Sequence, residues 1–402
     1  MVALRGRQFV LPRRHRTQPD PTSGRCEGVT VHVVVRSIAP YGRPGGLENA
    51  ARLHVDAMRA SGLPVDVYTA AEGPDVISVG WPRIPLPGNA VRFTVGYVIW
   101  SARVSLLLRK RLNVDDILHL HGAASFVAVL LRASGRRRVP AVANPHGMEE
   151  FHARTPRDRC VTAPLRWMGR RGARASAVVI STDSTLTEAV VSNLKVSPSK
   201  VTLIPNSIRT EDFSVLTGKD RTTWRIVSMG RLEWNKGYDI LRDAVVDIAA
   251  RHPEQEVRWD HIGNGSEFAA VFDVVDRPAG DNLTVRCHRS LDDAAARRLL
   301  AQATIFVQPS RYEGSSLTTL EAMASGVCVV ATPVGGIPDK IDDGVTGILA
   351  ASADAGHLSA SIERAMTCDV QALGRRAALH VRENFNVGVA TRRYLAVYSG
   401  LS

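Results

Sequence analysis

The pattern of apolar and polar positions opens with Val29-Thr-Val-His-Val-Val-Val35, a β-branched run that reads as a buried strand. A loop carrying Gly42, Gly45 and Gly46 follows. Helical spacing then runs over 47–60, Ser61-Gly62 breaks it, and a strand covers 65–69. The alternation continues with a helix over 93–112, a strand over 117–121, a helix over 124–133 and a strand over 141–144. A helix over 164–175 and strands over 177–181 and 201–204 complete the first half. Strand, glycine loop, helix and parallel strand form the repeating unit of a doubly wound α/β sheet.

A second series starts after the polar stretch 210–223, which reads as an interdomain linker. Strands are predicted over 225–229, 257–262, 305–308 and 327–331, with helices over 237–251, 294–301 and 317–324 between them. Two or more closing helices fill 357–398. The predicted organisation is a flexible basic tail over 1–27 and an N-terminal Rossmann-like domain over 28–208. A second domain of the same kind follows over 209–385. A C-terminal helix over 386–402 is expected to cross back to the first domain. Two such sheets facing each other leave a cleft at the carboxyl ends of their strands, where ligands of this architecture sit.

Composition narrows the class. With 402 residues and 45% hydrophobic positions, the chain has material for two cores. The cysteines, Cys26, Cys160, Cys287, Cys328 and Cys368, are odd in number and far apart, without a CxxC pair. They suit a reducing compartment, so a cytoplasmic protein is expected. The formal charge of +12 fits phosphorylated small molecules or anionic lipid. Helix-turn-helix, zinc-finger and RNA-binding signatures are absent, so nucleic acid is not an expected partner. The stretch 93–108 is apolar and aromatic and runs into Arg109-Lys-Arg111, so it either packs against the first sheet or lies on the inner membrane face. Packing is the favoured reading.

The chemistry-bearing residues cluster in the second half. Ser228-Met-Gly230-Arg231-Leu-Glu-Trp-Asn-Lys236-Gly237 follows a strand and precedes a helix, presenting two cations beside a helix start. A diphosphate calls for such fixed charge, a forked donor and nearby amides. Further on, Glu313 precedes Gly314-Ser315-Ser316 and Glu321 lies inside the helix that this turn starts. Carboxylates accept hydrogen bonds from sugar and ribose hydroxyls. As a hydrolytic acid/base pair they would need to lie about 5–10 Å apart. Eight residues of helix already span about 12 Å, so that role is set aside.

These motifs, with Thr332-Pro-Val-Gly335-Gly336-Ile-Pro338 and Asp343-Gly-Val-Thr-Gly347, resemble the retaining glycosyltransferases of family 4 over residues 29–398. The resemblance implies the GT-B fold and a UDP- or GDP-linked sugar donor. It implies that Arg231 and Lys236 hold the diphosphate, Glu313 the transferred sugar and Glu321 the ribose. Gly230, Gly263, Gly265, Ser315, Ser316 and Leu317 would help wall the donor site. It also implies that the Gly45-Gly46-Leu-Glu48 loop closes over the phosphates and that His146, after its strand, stands near the reacting sugar. His119 and His121 end the neighbouring strand and read more simply as structural. The chain contains no Asp-x-Asp, so transfer without a metal or other cofactor is expected, the acceptor being a glycan, a lipid-linked or a small molecule.

The sequence departs from the family at Arg286-Cys-His-Arg289, where a glycine turn is usual near the base, and mildly at Ser207 of Ile204-Pro-Asn-Ser207. A dinucleotide oxidoreductase is disfavoured because Gly263-Asn-Gly265-Ser-Glu-Phe268 lacks the third glycine. A sugar-nucleotide epimerase of the same fold, or a non-catalytic nucleotide- or glycan-binding scaffold, remain alternatives.

Overall fold

The computed structural model describes residues 28–41, 45–85, 89–135, 139–152, 155–215, 222–272 and 281–401. The expected tail over 1–27, Gly42 and Cys26 lie outside them. The first half runs β1 (Val31–Val34), α1 (Gly46–Ala60), β2 (Val65–Thr69), β3 (Ile77–Ser78), α2 (Asn89–Arg109), β4 (Ile117–His121) and α3 (Phe126–Ala133). It continues with β5 (Ala141–Asn144), α4 (Pro156–Ala175), β6 (Val178–Ser181), α5 (Ser184–Leu194) and β7 (Val201–Leu203). Every neighbouring pair is parallel and the spatial order is β3-β2-β1-β4-β5-β6-β7. The reversal of winding between β1 and β4 places the mouth of this half above those two strands.

The second half runs β8 (Thr223–Met229), α6 (Tyr238–Arg251), β9 (Glu256–Ile262), α7 (Phe268–Phe272), β10 (Leu283–His288), α8 (Asp293–Ala301), β11 (Ile305–Gln308) and α9 (Leu317–Ala324). It ends with β12 (Cys328–Ala331), β13 (Ile348–Leu349), α10 (Ala355–Thr367), α11 (Val370–Asn384) and α12 (Val387–Ser399). Its strands are also all parallel, in the order β10-β9-β8-β11-β12-β13. Strands β1, β4, β5, β11 and β12 are buried along their whole length, which is why they read as continuous apolar runs rather than alternating ones.

Several elements differ from the sequence reading. Helix α4 starts eight residues earlier than expected, at Pro156, and carries Pro164 inside it. Both prolines are start signals, and the sequence alone gives no preference for the first. The polar helix α5, the edge strands β3 and β13, and β10 were not foreseen. β10 alternates between half-buried and exposed positions at the sheet edge, so its apolar signal is weak. Helix α2 buries Trp100, Val104 and Leu108 in the first core, while Val98 and Leu106 face outward.

Helix α12 lies against α1, and its Ala390, Tyr394 and Tyr398 complete the core formed by Val31, Val33, Val55, Met58 and Ile180. The far end of the chain thus belongs to the packing of the first domain. The Tyr398 hydroxyl sits between His119 Nδ1 at 2.6 Å and His54 Nε2 at 3.0 Å, sealed from solvent. Tyr398→Phe strips both imidazoles of a partner, and we expect a loss of about 1–3 kcal/mol of stability. Urea denaturation followed by tryptophan fluorescence and circular dichroism measures it.

Candidate active site

Both sheets turn the carboxyl ends of their strands toward a common cleft, and the sequence-identified residues sit on the loops leaving such ends or, for Gly46, Leu317 and Glu321, in the helices that follow. After β8 the chain passes through Gly230, at φ 151°, with the backbone of Gly263 so close to the Gly230 carbonyl that a Cβ on Gly263 would clash with it. This pairs the loops after β8 and β9, and Leu232 N donates to the Asn264 carbonyl at 3.0 Å. Gly265 abuts the Leu232 backbone within the same contact. Arg231 is exposed beside them, and Lys236 closes the short turn before α6.

The Lys236 ammonium donates to both oxygens of Glu313, each at 2.8 Å. Glu313 Oε1 also accepts from Gln308 Nε2 at 2.9 Å and Ser310 Oγ at 2.8 Å. A carboxylate only 4% exposed is tolerated because it is paired and hydrogen-bonded on all these sides. Oε1 is saturated, whereas Oε2 has only Lys236 and keeps capacity for a hydroxyl donor. Ser316 caps α9, accepting from Thr319 N, so Ser315, Ser316 and Leu317 frame the start of a helix beside this carboxylate.

Glu321 sits near the other end of α9, and the structure does not bring it to Glu313. It lines instead a cleft of about 370 Å³ together with Met229 and Leu317, with Arg297 of α8, with Asn49 and Arg52 of α1, and with Arg209 from the connection between β7 and β8. Gly45 and Gly46 open α1 beside this space and Glu48 lies in its first turn, matched to the positive end of the helix dipole. Burial pushes the Glu321 carboxyl up to about 7, with Arg297 opposing and Asp293 adding to the shift. Arg286-Cys-His-Arg289 occupies β10 and its end. There His288 Nε2 is 2.8 Å from Asp260, and the Arg289 guanidinium covers the Phe268 ring at 3.8 Å.

Across the cleft, His146 follows β5 with a left-handed backbone (φ 56°) and is largely buried. Burial lowers its pKa to about 4, so the ring is neutral near pH 7. Its Nε2 lies 2.7 Å from His121 Nδ1 and the rings stack at 5.0 Å. His121, for which the structural reading was the favoured one, is therefore the direct partner of His146. Gly147 meets the opposite domain: the Tyr312 hydroxyl donates to the Gly147 carbonyl, and Gly314 packs on the Gly147 Cα. The loop carrying His146 and the loop carrying Glu313 are thus in contact. Among the described residues no group of three or more His, Cys, Asp or Glu could hold a metal ion.

A further contact between the domains escaped the sequence reading. Lys340 Nζ donates to Asp183 Oδ1 at 2.6 Å and to the Gly336 carbonyl at 2.8 Å, with both charged groups sealed from solvent. Thr185 Oγ1 reaches the Gly335 carbonyl at 2.6 Å and Ser184 Oγ reaches Asp339 at 2.5 Å. Desolvation raises the Asp183 pKa while the Lys340 charge and hydrogen bond oppose it. Asp183 and Lys340 are far apart in the chain and neither lies in an apolar pattern, so only the tertiary fold shows them as partners.

Two family descriptions match the chain: Glycosyltransferase Family 4 over residues 44–212 and Glycosyl transferases group 1 over 223–368, most of both halves. The chain belongs to the family 4 glycosyltransferases. A D-inositol 3-phosphate glycosyltransferase of Corynebacterium aurimucosum is 25% identical over 92% of this chain and 91% of its own. A lipopolysaccharide core biosynthesis mannosyltransferase of Rhizobium leguminosarum is 32% identical over 43% of this chain and 49% of its own. Among solved structures, sucrose-phosphate synthase of Thermosynechococcus elongatus superposes with a TM-score of 0.75 over 93% of this chain and 99% of its own, at 19% identity. Anabaena HepE in complex with UDP gives 0.71 over 92% and 100%, at 17% identity. The fold is GT-B, and this glycosyltransferase serves glycoconjugate synthesis.

Removing one member of a sealed ion pair leaves the other charge stranded. Lys340→Met should therefore cost about 3–5 kcal/mol. The measurement is the midpoint of the first unfolding transition, and an unchanged midpoint would contradict a closed, buried pair.

Proposed function

We propose that this glycosyltransferase moves a sugar from a UDP- or GDP-linked donor onto an acceptor hydroxyl, with retention of anomeric configuration and without a metal ion. The acceptor belongs to a polysaccharide, a glycolipid or another glycoconjugate. The observation that carries the reading is the Lys236–Glu313 pair, fixed on a loop that touches the His146–Gly147 loop of the facing domain. In this reading Lys236 and Arg231 receive the diphosphate, Oε2 of Glu313 accepts a hydroxyl of the transferred sugar, and Glu321 binds the ribose one helix length away. Glu313 on the loop before α9 and Glu321 inside that helix are thus separate contacts, which suits an extended donor with its sugar at one end and its nucleoside at the other.

As the bond between the anomeric carbon and the phosphate oxygen breaks, negative charge grows on the diphosphate. Fixed cations and helix-start amides stabilise it without reorganising. The acceptor oxygen bonds to the anomeric carbon on the same face, and its proton passes to the departing phosphate. No side chain is assigned as nucleophile: Glu313 Oε1 is tied by three donors and the pair with Lys236 lowers its reactivity. His146, neutral through burial, offers a hydrogen bond to the sugar. Contact of the two domains around it excludes water and so limits hydrolysis. We place the protein in the cytoplasm, with the outward residues of α2 offering peripheral contact with the inner membrane face.

The experiment is a panel of UDP- and GDP-sugars, with and without chelator, followed by nucleotide release and by product analysis. Transfer that survives chelation with retained configuration is expected; an isomerised donor would instead mark an epimerase, and binding alone a scaffold. Lys236→Ala and Arg231→Ala should each lower kcat about 10²- to 10³-fold, the size of a lost oxyanion donor. Normal turnover in either would remove its role.

The raised Glu321 pKa gives a pH signature. The carboxyl accepts from two ribose hydroxyls only when ionised, and in the empty cleft it loses its proton only above about 7. Affinity for UDP or GDP should thus weaken as pH falls through about 7, approaching tenfold per unit at most. Calorimetric titration of wild type against Glu321→Gln isolates the effect from the nucleotide's own ionisation, and parallel profiles would contradict it.

A further inference from the structure

The hydrogen bond between His121 and His146 joins two neutral rings, so one nitrogen donates and the other accepts. Burial holds both well below ordinary histidine pKa values, and among the described residues no carboxylate or cation favours the charged form of either ring. The direction follows from the far side of His121. Its Nε2 is sealed from solvent and has no partner among the described residues. If His146 Nε2–H donated, His121 would carry its proton on that sealed Nε2, an orphaned buried N–H of the kind folded proteins avoid. If His121 Nδ1–H donates instead, Nε2 is merely a bare acceptor and the cheaper arrangement results.

We propose that His121 is a positioning residue that donates through Nδ1–H to His146 Nε2, fixing His146 as the Nδ1–H tautomer and leaving that N–H as its hydrogen-bond donor to the transferred sugar. The neighbourhood is built to hold this arrangement. His121 is held between His146, near-parallel at 5.0 Å, and His119, tilted at 4.7 Å, which restricts its ring orientation. His119 is tied to Tyr398 of α12, which also bridges to His54 of α1. Asn144 fixes the backbone on the other side. Its Oδ1 accepts from His146 N at 3.4 Å, and its Nδ2 donates to the Tyr394 hydroxyl of α12 at 3.3 Å. His146 therefore has its left-handed backbone set by Asn144 and its proton set by His121. A free imidazole exchanges its proton between the two nitrogens, whereas this one is committed before substrate arrives, which is preorganisation of a donor.

The part concerning the sugar rests on the glycosyltransfer reading; the tautomer does not, and the test separates them. Full-length protein labelled with ¹⁵N-histidine is examined by long-range ¹H–¹⁵N correlation, with His146 assigned by His146→Gln. Wild type should show His146 as the neutral Nδ1–H form at about pH 7 and His121 likewise. An Nε2–H form of His146 overturns the proposal. His121→Phe should release the tautomer and lower kcat for UDP-glucose or GDP-mannose turnover roughly 10- to 100-fold with KM changed by less than about threefold. His121→Asn, whose amide nitrogen stands near the position of Nδ1, should recover most of both. Phe and Asn variants that fold alike and turn over alike would overturn the positioning role. A wild type with the expected tautomer that turns over no nucleotide-sugar would defeat the functional reading and leave the tautomer assignment standing.

Discussion

A carboxylate removed from water persists as an anion only where cations and donors meet it, and Glu313 meets that condition at one place in the chain. Lys236 arrives from the turn before α6, Gln308 from the end of β11 and Ser310 from the loop beyond it. Each of these groups stands at the carboxyl end of a parallel strand or immediately past it. The shared direction of the strands is therefore what makes the charge pair attainable, and the pair in turn fixes the loop that touches the facing domain. The tight glycines serve the same end: the backbone of Gly263 against Gly230, and of Gly335 against Glu313, leaves no room for a side chain between the loops.

The two domains bring unlike environments together where the His146–Gly147 loop meets the Glu313–Gly314 loop. The second supplies fixed charge, partly hydrated at Arg231 and sealed at Glu313. The first supplies neutral, desolvated imidazoles whose burial suppresses protonation. A nucleotide-sugar has the complementary polarity, with a charged middle and a neutral, hydroxyl-rich end. The buried Asp183–Lys340 pair bridges the halves close to Gly335 and Gly336, so the contact between the domains and the position of the Gly335–Gly336 turn are tied through one short segment.

Most strand positions were legible from apolar runs because those strands are covered on both faces, and the residues proposed for the donor site could be singled out because they lie in short motifs beside those runs. What sequence hid was of two kinds. Edge strands such as β3 and β10 bury too little to leave a signal. Contacts between distant segments have no local pattern: Asp183 with Lys340, Tyr398 with His54 and His119, and His121 with His146. His121 looked like a strand-end residue exposed by chance, and only its distance to His146 reveals its connection with the site. Glu313 and Glu321, similar in sequence context, turn out to occupy different surroundings, one with Oε1 held by three donors and Oε2 by Lys236 alone, the other lining the cleft beside Arg297.

The most direct test is the structure of the protein with UDP or GDP bound. The β-phosphate should lie within hydrogen-bond distance of Lys236 Nζ and the Arg231 guanidinium, with the ribose hydroxyls on Glu321 and the cleft closed against His146. A nucleotide bound elsewhere, or bound in the cleft with its diphosphate away from both cations, would contradict the assignment of this surface as a donor site.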